Sequence, residues 1–385
     1  MIDLQYKERS IVFINQATGY LTIDIVNAFV DSGKFSHIAL IAGSVRVQDI
    51  PLSSSVGWSK IILYNRGNPF KKFTSWAFGT IQIFFLLLTK YRKYEVFYVT
   101  IPPFAYLLSL FLKNRFSILV YDVYPDVLKI YNIRETNLIY KLWVRWNKRL
   151  FLKSFRLYSI GEGMVDLLEK YVSRTKINII NNWTGLTQLK HVSSAENSFL
   201  KDNGLENKFV VMYSGNIGVT HNVEVLLDIA RKLEVYKDIV VLVIGRGDRY
   251  FTIKKQIESS NLNNCKIMPF QPDELLQHVL SSANVGVVLL DSKTPSISVP
   301  SKIYNLQAVG LPILGIAEPD STLDLHLRKY ENGQCFSEKE VDMIIEYILK
   351  LKLEPELYES LSQSSFKASK DFTMLNALSY VSSYV

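Results

Sequence analysis

Short apolar runs alternate with helical stretches along almost the whole chain, and this alternation limits the possible folds more than any other feature. The runs are rich in β-branched and aromatic residues, which is typical of buried strands. They cover residues 10–15, 37–41, 60–63, 96–100, 117–121, 155–159, 177–181, 209–213, 239–244, 266–269, 285–290 and 313–316. Helical stretches lie between them, among others at residues 21–30, 222–233 and 301–309. This order favours largely parallel sheets that are covered by helices on both faces.

A polar stretch at residues 188–207 interrupts the alternation, which then restarts. The sequence therefore predicts two tandem Rossmann-like, doubly wound α/β domains, at residues 1–190 and 191–371, followed by a helix at 372–385. Ligands of such sheets bind beyond the carboxyl ends of the strands. The natural place for a site is then a central cleft that the two domains face.

Charge is unevenly distributed between the two predicted domains. Residues 1–190 contain 25 Lys and Arg and 12 Asp and Glu, a balance of +13, whereas the remaining 19 and 24 give −5 and the sum is +8. A basic domain of this kind favours an anionic partner, such as a membrane surface, a nucleic acid or a phosphorylated ligand. No recognised nucleic-acid-binding module is present, so we do not expect nucleic acid as the partner.

Residues 73–89 form an uncharged run of 17 residues, flanked by Lys71 and Lys72 on one side and by Lys90, Arg92 and Lys93 on the other. A membrane span needs about 20 predominantly apolar residues, and this run also contains polar ones. Two interpretations remain open. The run is a core helix of the first domain, or its aromatic face, around residues 76–88, touches a bilayer surface.

Cysteine usage and the N-terminal residues indicate the compartment. The chain has two cysteines, Cys265 and Cys335, which excludes a disulfide scaffold and a cysteine-based zinc site. The first ten residues lack the basic and then apolar order of a signal peptide. We therefore expect a cytoplasmic protein.

The first motif that suggests chemistry is Tyr-Ser-Gly-Asn-Ile-Gly at residues 213–218, between a predicted strand and a predicted helix. Gly215 and Gly218 allow close approach of the backbone, and the helix N-terminus that follows favours an anion. Asn216 lies between the two glycines. A tight strand-to-helix turn without a ligand explains the motif about equally well.

The second motif is Pro-Ser-Lys-Ile-Tyr-Asn at residues 300–305. Ser301 is a good N-cap residue for the predicted helix. Lys302 falls in the first turn, where a cation is unfavourable unless an anion is bound there as well. Asn305 lies four residues after Ser301, so both side chains can face one ligand. The alternative is a capped helix that carries an ordinary surface lysine.

Two further motifs follow predicted strands. In Tyr-Asp-Val-Tyr-Pro-Asp at residues 121–126, we expect Asp122 to be functional and Asp126 to cap the next helix. In Gly-Arg-Gly-Asp at residues 245–248, Arg246 could contact a base or a phosphate, although a solvated turn is equally consistent with this short motif.

Several other chemistries find no support in the sequence. Of the five histidines, only His221 lies in a glycine-rich turn, and no histidine or carboxylate spacing typical of a metal site is present. The nucleophile elbow of hydrolases and the phosphate loop of nucleoside triphosphatases are also missing. We therefore expect neither a metal nor another cofactor.

Taken together, the motifs at residues 214–218, 300–304 and 308–312 resemble the family-4 retaining glycosyltransferases of the GT-B fold, and above all bacterial enzymes that build surface polysaccharides. The first half agrees in order, although its resemblance is weaker. Its matching segments are residues 100–103, 121–125, 159–163 and 180–183.

The resemblance implies roles for individual residues. The second domain would bind a nucleotide-sugar, the first would bind the acceptor, and the C-terminal helix would cross back onto the first domain. Phe270 and Gln271 match the positions that hold the base. The loop from Gly215 to Gly218, with Ser301 and Lys302, matches the diphosphate site, and Gly19 lies in the loop of the first domain that approaches it. The family is metal-independent, so that basic groups and helix N-termini stabilise the leaving diphosphate.

Two departures from the family pattern concern the donor contacts. Many members carry two glutamates eight positions apart around the ribose and the sugar, where this chain has Ile297 and Asn305. Many also carry an arginine at the position of Asn216, which leaves Lys302 as the clearest cation. Asn305 can still hydrogen-bond ribose hydroxyls.

The resemblance implies a retaining, metal-independent hexosyltransferase. It would move a sugar from a nucleotide-sugar, in particular a UDP-sugar, to a lipid-linked saccharide in capsule, O-antigen or exopolysaccharide biosynthesis. Lys302 and Asp122 would be the main catalytic residues, and the basic domain would hold the enzyme on the inner face of the cell membrane. The alternatives are a degenerate GT-B homologue that acts as a binding or stabilising subunit, and a GT-B sugar-nucleotide epimerase or phosphorylase.

Overall fold

A computed structural model describes residues 9–65, 67–131, 133–186, 189–218, 222–290 and 300–385. The chain divides into two compact units. The first extends to Gly185 and includes Met374–Val385, and the second comprises Leu186–Thr373. Residues 186–190 and 372–373 therefore belong to the second unit, next to the sequence-based boundaries.

The first unit is built on seven parallel strands, in the order β5-β3-β1-β6-β7-β8-β9 within the described residues. A separate pair, β2 and β4, follows β1 and β3. The strands are β1 Ser10–Ile14, β2 Ala17–Thr18, β3 His37–Ala42, β4 Ser44–Val45, β5 Gly57–Lys60, β6 Glu95–Val99, β7 Phe116–Val120, β8 Leu157–Ser159 and β9 Ile177–Ile179. The helices are α1 Tyr20–Asp31, α2 Pro69–Leu88, α3 Leu138–Lys153 and α4 Glu162–Leu168, with 3₁₀ turns at Ala105–Leu110, Asp126–Tyr131 and Arg174–Lys176.

An aromatic layer covers one face of this first sheet. Phe13 of β1 packs against Phe29 of α1, with ring centroids 5.1 Å apart. The C-terminal helix α13, at Asn376–Tyr384, adds Tyr384 to the layer, with its ring 5.3 Å from that of Phe29. Complete burial of such a ring stabilises the fold by roughly 1.5–3 kcal/mol. The last helix of the chain is therefore part of the core of the first unit.

Helix α3 and the turn at Ala105–Leu110 cover the opposite face. Successive residues of a strand point to opposite sides, so Tyr98 of β6 points away from the aromatic layer, and its hydroxyl accepts a hydrogen bond from Ser109 at 3.2 Å. In the layer that α3 and this turn form, the Tyr106 hydroxyl donates a hydrogen bond of 2.9 Å to the side chain of Asn147. Helix α2 packs beside the same turn, since the Trp76 and Phe104 rings lie 6.2 Å apart.

The second unit has six parallel strands within the described residues, in the order β12-β11-β10-β13-β14-β15. They are β10 Phe209–Asn216, β11 Ile239–Arg246, β12 Cys265–Pro269, β13 Val285–Leu289, β14 Ile313–Ile316 and β15 Gly333–Phe336. The helices are α5 Ser198–Asp202, α6 Glu224–Leu233, α7 Tyr250–Ser259, α8 Leu276–Leu280, α9 Lys302–Ala308, α10 Thr322–Tyr330, α11 Val341–Leu353 and α12 Pro355–Ser369, with a 3₁₀ turn at Asp273–Leu275. Alternate residues of β10 enter two separate cores, Val211 with α6 and α11 on one face and Met212 with α9 and α10 on the other.

Two expected elements have wrong bounds, and one strand was not expected. The strand expected at residues 60–63 lies at Gly57–Lys60 instead. The sequence does not reveal β15 (Gly-Gln-Cys-Phe), because its residues are not β-branched. The helix expected at 372–385 covers only Asn376–Tyr384, and Phe372 instead stacks on Tyr304 in the second unit, with ring centroids 4.4 Å apart.

Of the two interpretations of the uncharged run, the core helix is confirmed for one side of α2, and contact with a bilayer stays a prediction. Ser75, Gly79, Ile83 and Leu87 are buried at a spacing of four residues, so one side of the helix belongs to the core. The opposite side is exposed and apolar, as is seen at Phe78, whose side chain is 59% exposed. In the described part of the chain, no helix has the length and apolar character needed to cross a membrane.

Candidate functional site

The ends of three neighbouring strands bring most of the sequence-predicted residues of the second unit together. Gly215 of β10 pairs with Gly245 of β11, and Asn216 pairs with Arg246. Gly245 also pairs with Pro269 at the end of β12. Both β10 and β11 continue into their glycine motifs, so the expectation that these strands end at residues 213 and 244 is wrong.

The glycines are required here because two backbones approach closely. A Cβ atom at Gly245 would lie 1.9 Å from the carbonyl oxygen of Gly215. A Cβ atom at Gly247 would lie 2.4 Å from the carbonyl oxygen of Ile217, and Gly247 also has a φ of +151°. Contacts under 3 Å do not occur for real side chains at such positions, so both sites exclude every other residue.

Lys302 is half-buried beside this pair of strands, and its ammonium nitrogen is buried. Its Nζ atom is 4.0 Å from the ring centroid of Tyr213 and 2.8 Å from the point that a Cβ atom at Gly215 would occupy. Among the described residues, this nitrogen has no hydrogen-bond partner. Burial lowers the pKa of Lys302 to about 7 from an ordinary value of 10.5. A buried ammonium without a partner is unfavourable, so the arrangement is suited to an anion that enters beside Gly215.

Tyr213 contacts both Lys302 and the loop that contains Gly215. Its ring is fully buried, and its hydroxyl donates a hydrogen bond of 2.7 Å to the carbonyl oxygen of Asn216. The ring face attracts the Lys302 ammonium, and the hydroxyl holds the loop in which Gly215 and Asn216 lie. The sequence motif begins with this tyrosine, but its spacing assigns it no role.

Ser301 directly precedes the short helix α9, and Asn305 lies on this helix with Lys302. The expectation that Ser301 caps α9 is wrong, because its side chain makes no capping hydrogen bond and its backbone has a φ of −58° and a ψ of −23°, which are helical values. Ser301 is exposed. Asn305 is half-buried, one turn further along α9.

Arg246 and Phe270 form a second cluster at the same strand ends. The Arg246 guanidinium lies over the Phe270 ring, 4.7 Å from its centroid, and the ring is 49% exposed. Gln271 follows, and its side-chain amide donates a hydrogen bond of 2.7 Å to the carbonyl oxygen of Pro269. An exposed ring backed by a cation is suited to stacking against a planar group.

The remaining predicted residues, Gly19 and Asp122, belong to the first unit. Gly19 precedes α1 in an extended conformation, and a Cβ atom there would meet nothing within 4 Å. Asp122 follows β7, and its backbone N–H donates to the Thr100 hydroxyl at 3.3 Å. The residue is exposed, yet the protein packed around the carboxylate desolvates it and raises its pKa, an effect that the charge of Lys72 opposes.

Asp126 is not the helix cap that the sequence suggests. Its carboxylate is buried, and it accepts hydrogen bonds from Tyr140 at 3.0 Å and from Tyr171. Lys129 and Lys170 lie 3.2 and 3.5 Å away. Burial opposes ionisation, but these hydrogen bonds and charges outweigh it and hold the pKa of Asp126 below its usual range. Since the tyrosines are distant in sequence, no local sequence pattern predicts that they surround Asp126.

Two residues named from the sequence, His221 and Ile297, lie outside the described residues. Within them, no group of three or more His, Cys, Asp or Glu side chains is placed to hold a metal ion.

Residues 196–368 match the family Glycosyl transferases group 1. This part of the chain is a glycosyltransferase group 1 domain. It contains the candidate site residues of the second unit, from Gly215 to Asn305. Among curated proteins, the chain is 26% identical over 156 residues to the putative colanic acid biosynthesis glycosyl transferase WcaI of Escherichia coli, a match that covers 40% of this chain and 38% of that protein. It is 24% identical over 222 residues to the probable glycosyltransferase WbjE of Pseudomonas aeruginosa, with 57% and 54% covered. The matches thus span about half the length of these relatives or less.

Solved structures extend the likeness beyond the glycosyltransferase domain. Sucrose-phosphate synthase from Thermosynechococcus elongatus superposes with a TM-score of 0.74 at 14% identity and covers 98% of both chains. HepE from Anabaena, solved in complex with UDP and glucose, has a TM-score of 0.71 at 12% identity and covers 98% of this chain and 99% of its own. At such identities the likeness concerns the fold alone, and the fold is GT-B, as the sequence motifs imply.

Proposed function

We propose that the protein is a glycosyltransferase that moves a sugar from a UDP-sugar to a hydroxyl group of a lipid-linked saccharide. The product would be part of a surface polysaccharide, and the reaction would retain the anomeric configuration without a metal ion. The glycosyltransferase group 1 domain and the relative named for colanic acid biosynthesis support this proposal. The UDP and glucose bound to HepE, whose fold is similar, support the choice of donor.

The observation that carries the proposal is the buried ammonium group of Lys302 next to Gly215. The diphosphate of a nucleotide-sugar is an anion that can neutralise this group. Gly215 has no side chain between the ammonium and the bound anion. As the bond to the sugar breaks, charge develops on the diphosphate, so a cation at this place lowers the barrier to the reaction.

The base of the nucleotide would stack against the exposed face of Phe270, with Arg246 and Gln271 at its edge. Asn305 would hydrogen-bond the ribose hydroxyls, and the loop with Asn216 and Gly218 would lie along the phosphates. In the first unit, Gly19 and Asp122 would serve the diphosphate and the hydroxyls of the acceptor or sugar, respectively.

The proposed reaction needs no protein nucleophile. The acceptor oxygen forms a bond to the anomeric carbon on the side from which the nucleoside diphosphate departs. The bond between that carbon and the phosphate oxygen breaks, and the electron pair stays on the diphosphate. The proton of the acceptor hydroxyl passes to a phosphate oxygen. Lys302 and Ser301 would hold the departing diphosphate during these changes.

A lipid-linked acceptor would place the enzyme at the inner face of the cell membrane. The balance of +13 in residues 1–190 favours attraction to an anionic lipid surface. This electrostatic part of the binding should weaken as salt rises.

Calorimetric titration with UDP, GDP, ADP and CMP tests the donor assignment. We expect UDP to bind, and Lys302→Met to weaken its binding by roughly 10- to 150-fold, the equivalent of one charge-assisted hydrogen bond. Lys254→Met is a matched control, because Lys254 lies exposed on α7. Equal binding of UDP by Lys302→Met and the wild type would contradict the assignment. Turnover that persists in a chelator, with a product of retained configuration by NMR, would support the rest of the proposal.

A second candidate function is a binding or stabilising subunit that retains the fold without activity. The neutral side chains Asn216 and Asn305 favour it, because they stand where many members of the resembled family carry charged ones. This candidate predicts UDP binding without transfer to any acceptor and without hydrolysis of the donor. Release of UDP from UDP-glucose by the wild type, but not by Lys302→Met, would exclude it.

A further inference from the structure

The outward side of α2 is a continuous apolar surface. Large side chains on this side are exposed by 43% to 74% in the described structure. They are Phe70, Phe73, Phe78, Ile81, Phe85 and Leu88. At 100° per residue these positions fall on one side of the helix, opposite to Ile83 and Leu87, which are fully buried. Soluble proteins rarely expose an apolar stripe of this length without a partner.

The surface continues beyond the helix. The chain after β5 lies along α2, since the backbone N–H of Ile62 donates a hydrogen bond of 2.8 Å to the Gln82 side chain. Ile62 and the next residue, Leu63, are 41% and 59% exposed. The apolar area is therefore two elements wide.

Basic residues flank this surface along the chain. Residues 50–94 contain seven Lys and Arg and no Asp or Glu. Lys71 and Lys72 lie in the first turn of α2, and Lys90, Arg92 and Lys93 follow its end. An apolar surface with cations at both ends matches an anionic bilayer, which offers acyl chains below a layer of negative headgroups. A second copy of the chain fits less well, because a two-fold dimer would bring the same cations against each other.

The way in which α2 is held determines how deeply it can enter a bilayer. Ile83 and Leu87 attach its inner side to the sheet, and Gly79 packs against the Gln16 side chain. A helix held in this way can lie along a membrane surface but cannot cross it. Only the outward side chains can enter the boundary between headgroups and acyl chains.

We infer that the outward face of α2, together with Ile62 and Leu63, docks onto an anionic lipid bilayer by shallow insertion of its apolar side chains. This inference deepens the membrane placement of the proposed function, because it assigns the docking face and rests on an exposed apolar surface as well as on charge. It predicts a component of membrane binding that salt does not remove.

Sedimentation with vesicles of phosphatidylglycerol and phosphatidylcholine tests the inference. The double variant Phe78→Ser and Phe85→Ser should partition into the vesicle pellet roughly tenfold less than the wild type at about 0.5 M salt. Phe251→Ser is the matched control, because Phe251 is 79% exposed on α7 of the second unit, and it should bind like the wild type. Equal binding of the double variant and the wild type at high salt would overturn the inference.

A second measurement reports insertion directly. Ile81→Trp should gain fluorescence that brominated phospholipids quench, whereas Phe251→Trp should not. Absence of quenching at Ile81→Trp, or a wild-type dimer in sedimentation equilibrium that the double variant abolishes, would show that this face meets something other than lipid. All variants keep the donor residues, so UDP affinity should not change. Failure of the donor assignment and failure of membrane docking are therefore distinguishable.

Discussion

At the scale of single residues, Asp126 and Lys302 carry buried charged groups of opposite sign in different surroundings. The Asp126 carboxylate is surrounded by donors and cations. The Lys302 ammonium has an aromatic ring beside it and no hydrogen-bond partner among the described residues. A buried charge that has its partners loses stability when one of them is removed, whereas a buried charge without partners is itself retained at a cost in stability. This difference is the physical reason to assign Asp126 to structure and Lys302 to ligand binding.

Replacement of Lys302 should change how stability depends on pH. Lysine in the unfolded chain keeps a pKa near 10.5, and the folded value is about 7. The unfolded state therefore binds more protons between these values, and the free energy of unfolding rises with pH across that window. Lys302→Met should lack this rise and be more stable than the wild type at pH 7, by on the order of a few kcal/mol. Denaturant titrations from pH 6 to 10 measure how the free energy of unfolding of the two proteins changes with pH. Equal changes in both would contradict the burial of the Lys302 charge.

The binding of UDP should also depend on the protonation of Lys302. A bound diphosphate favours the charged form of Lys302, so binding should take up a proton above pH 7. UDP affinity should then fall by up to about tenfold per pH unit as the pH rises above 7. Calorimetry in buffers of different ionisation enthalpy measures the proton uptake, which should be missing in Lys302→Met.

Asp126→Asn should act in the opposite direction. The wild-type carboxylate stabilises the fold fully above the unfolded pKa of 3.8, and this contribution is lost as the pH falls through the lower native value. The variant should lose about 2–4 kcal/mol at pH 7 and show a weaker dependence on acid. Asp166→Asn is the control, because its side chain is 77% exposed. Equal acid sensitivity of all three proteins would refute the role of Asp126.

At the scale of elements, the pairing of the strands that carry the site depends on glycines, which have no side chain to hold the two backbones apart. Strands β10 and β11 stay paired up to Asn216 and Arg246 only because Gly245 leaves room for the carbonyl group of Gly215. Close packing at this point brings Arg246, Phe270 and the loop after Gly215 to one edge of the sheet.

Gly245→Ala should separate these strand ends. Its Cβ atom would lie 1.9 Å from a backbone oxygen, which has no freedom to rotate away. We expect a loss of about 2 kcal/mol or more in the free energy of unfolding, together with weaker UDP binding. Gly57→Ala is the matched control in β5, because its nearest neighbour would be 4.0 Å away, and it should stay within about 1 kcal/mol of the wild type. A neutral Gly245→Ala would mean that the strands are not paired so closely.

At the scale of the whole molecule, the two units are built differently. The second uses one continuous stretch, Leu186–Thr373, whereas the first requires Met374–Val385 from the end of the chain. Tyr380 and Tyr384 of α13 are completely buried against the sheet of the first unit. The first unit is therefore complete only after residues 374–385 have been synthesised.

Tyr380→Ala should destabilise the first unit selectively. The ring packs 4.8 Å from that of Tyr158, and its removal should cost roughly 3–5 kcal/mol. Leu378→Ala on the same helix is the control, since Leu378 is 48% exposed, and it should cost less than about 1 kcal/mol. Proteolysis coupled to mass spectrometry can assign the early cleavage sites. Sites in the second unit rather than in the first would contradict this division of the core.

The sequence by itself determined the fold class, most strands and the location of the glycine motifs. These depend on local patterns, because buried strands need apolar β-branched runs and strand ends that approach closely need glycine. The same motifs pointed to the glycosyltransferase group 1 domain that the comparisons identify.

Tertiary structure alone decided which polar groups lack partners and which side of a helix is exposed. Residues distant in sequence make the environment of each group, as Tyr140 and Tyr171 do for Asp126 and as Tyr213 does for Lys302. In α2, periodicity does not distinguish the side that packs on the sheet from the side that faces outward, since large apolar residues lie on both, as Ile83 and Phe85 show. The reason is that burial is a property of the packed chain, whereas a sequence pattern specifies only which surfaces tend to be buried.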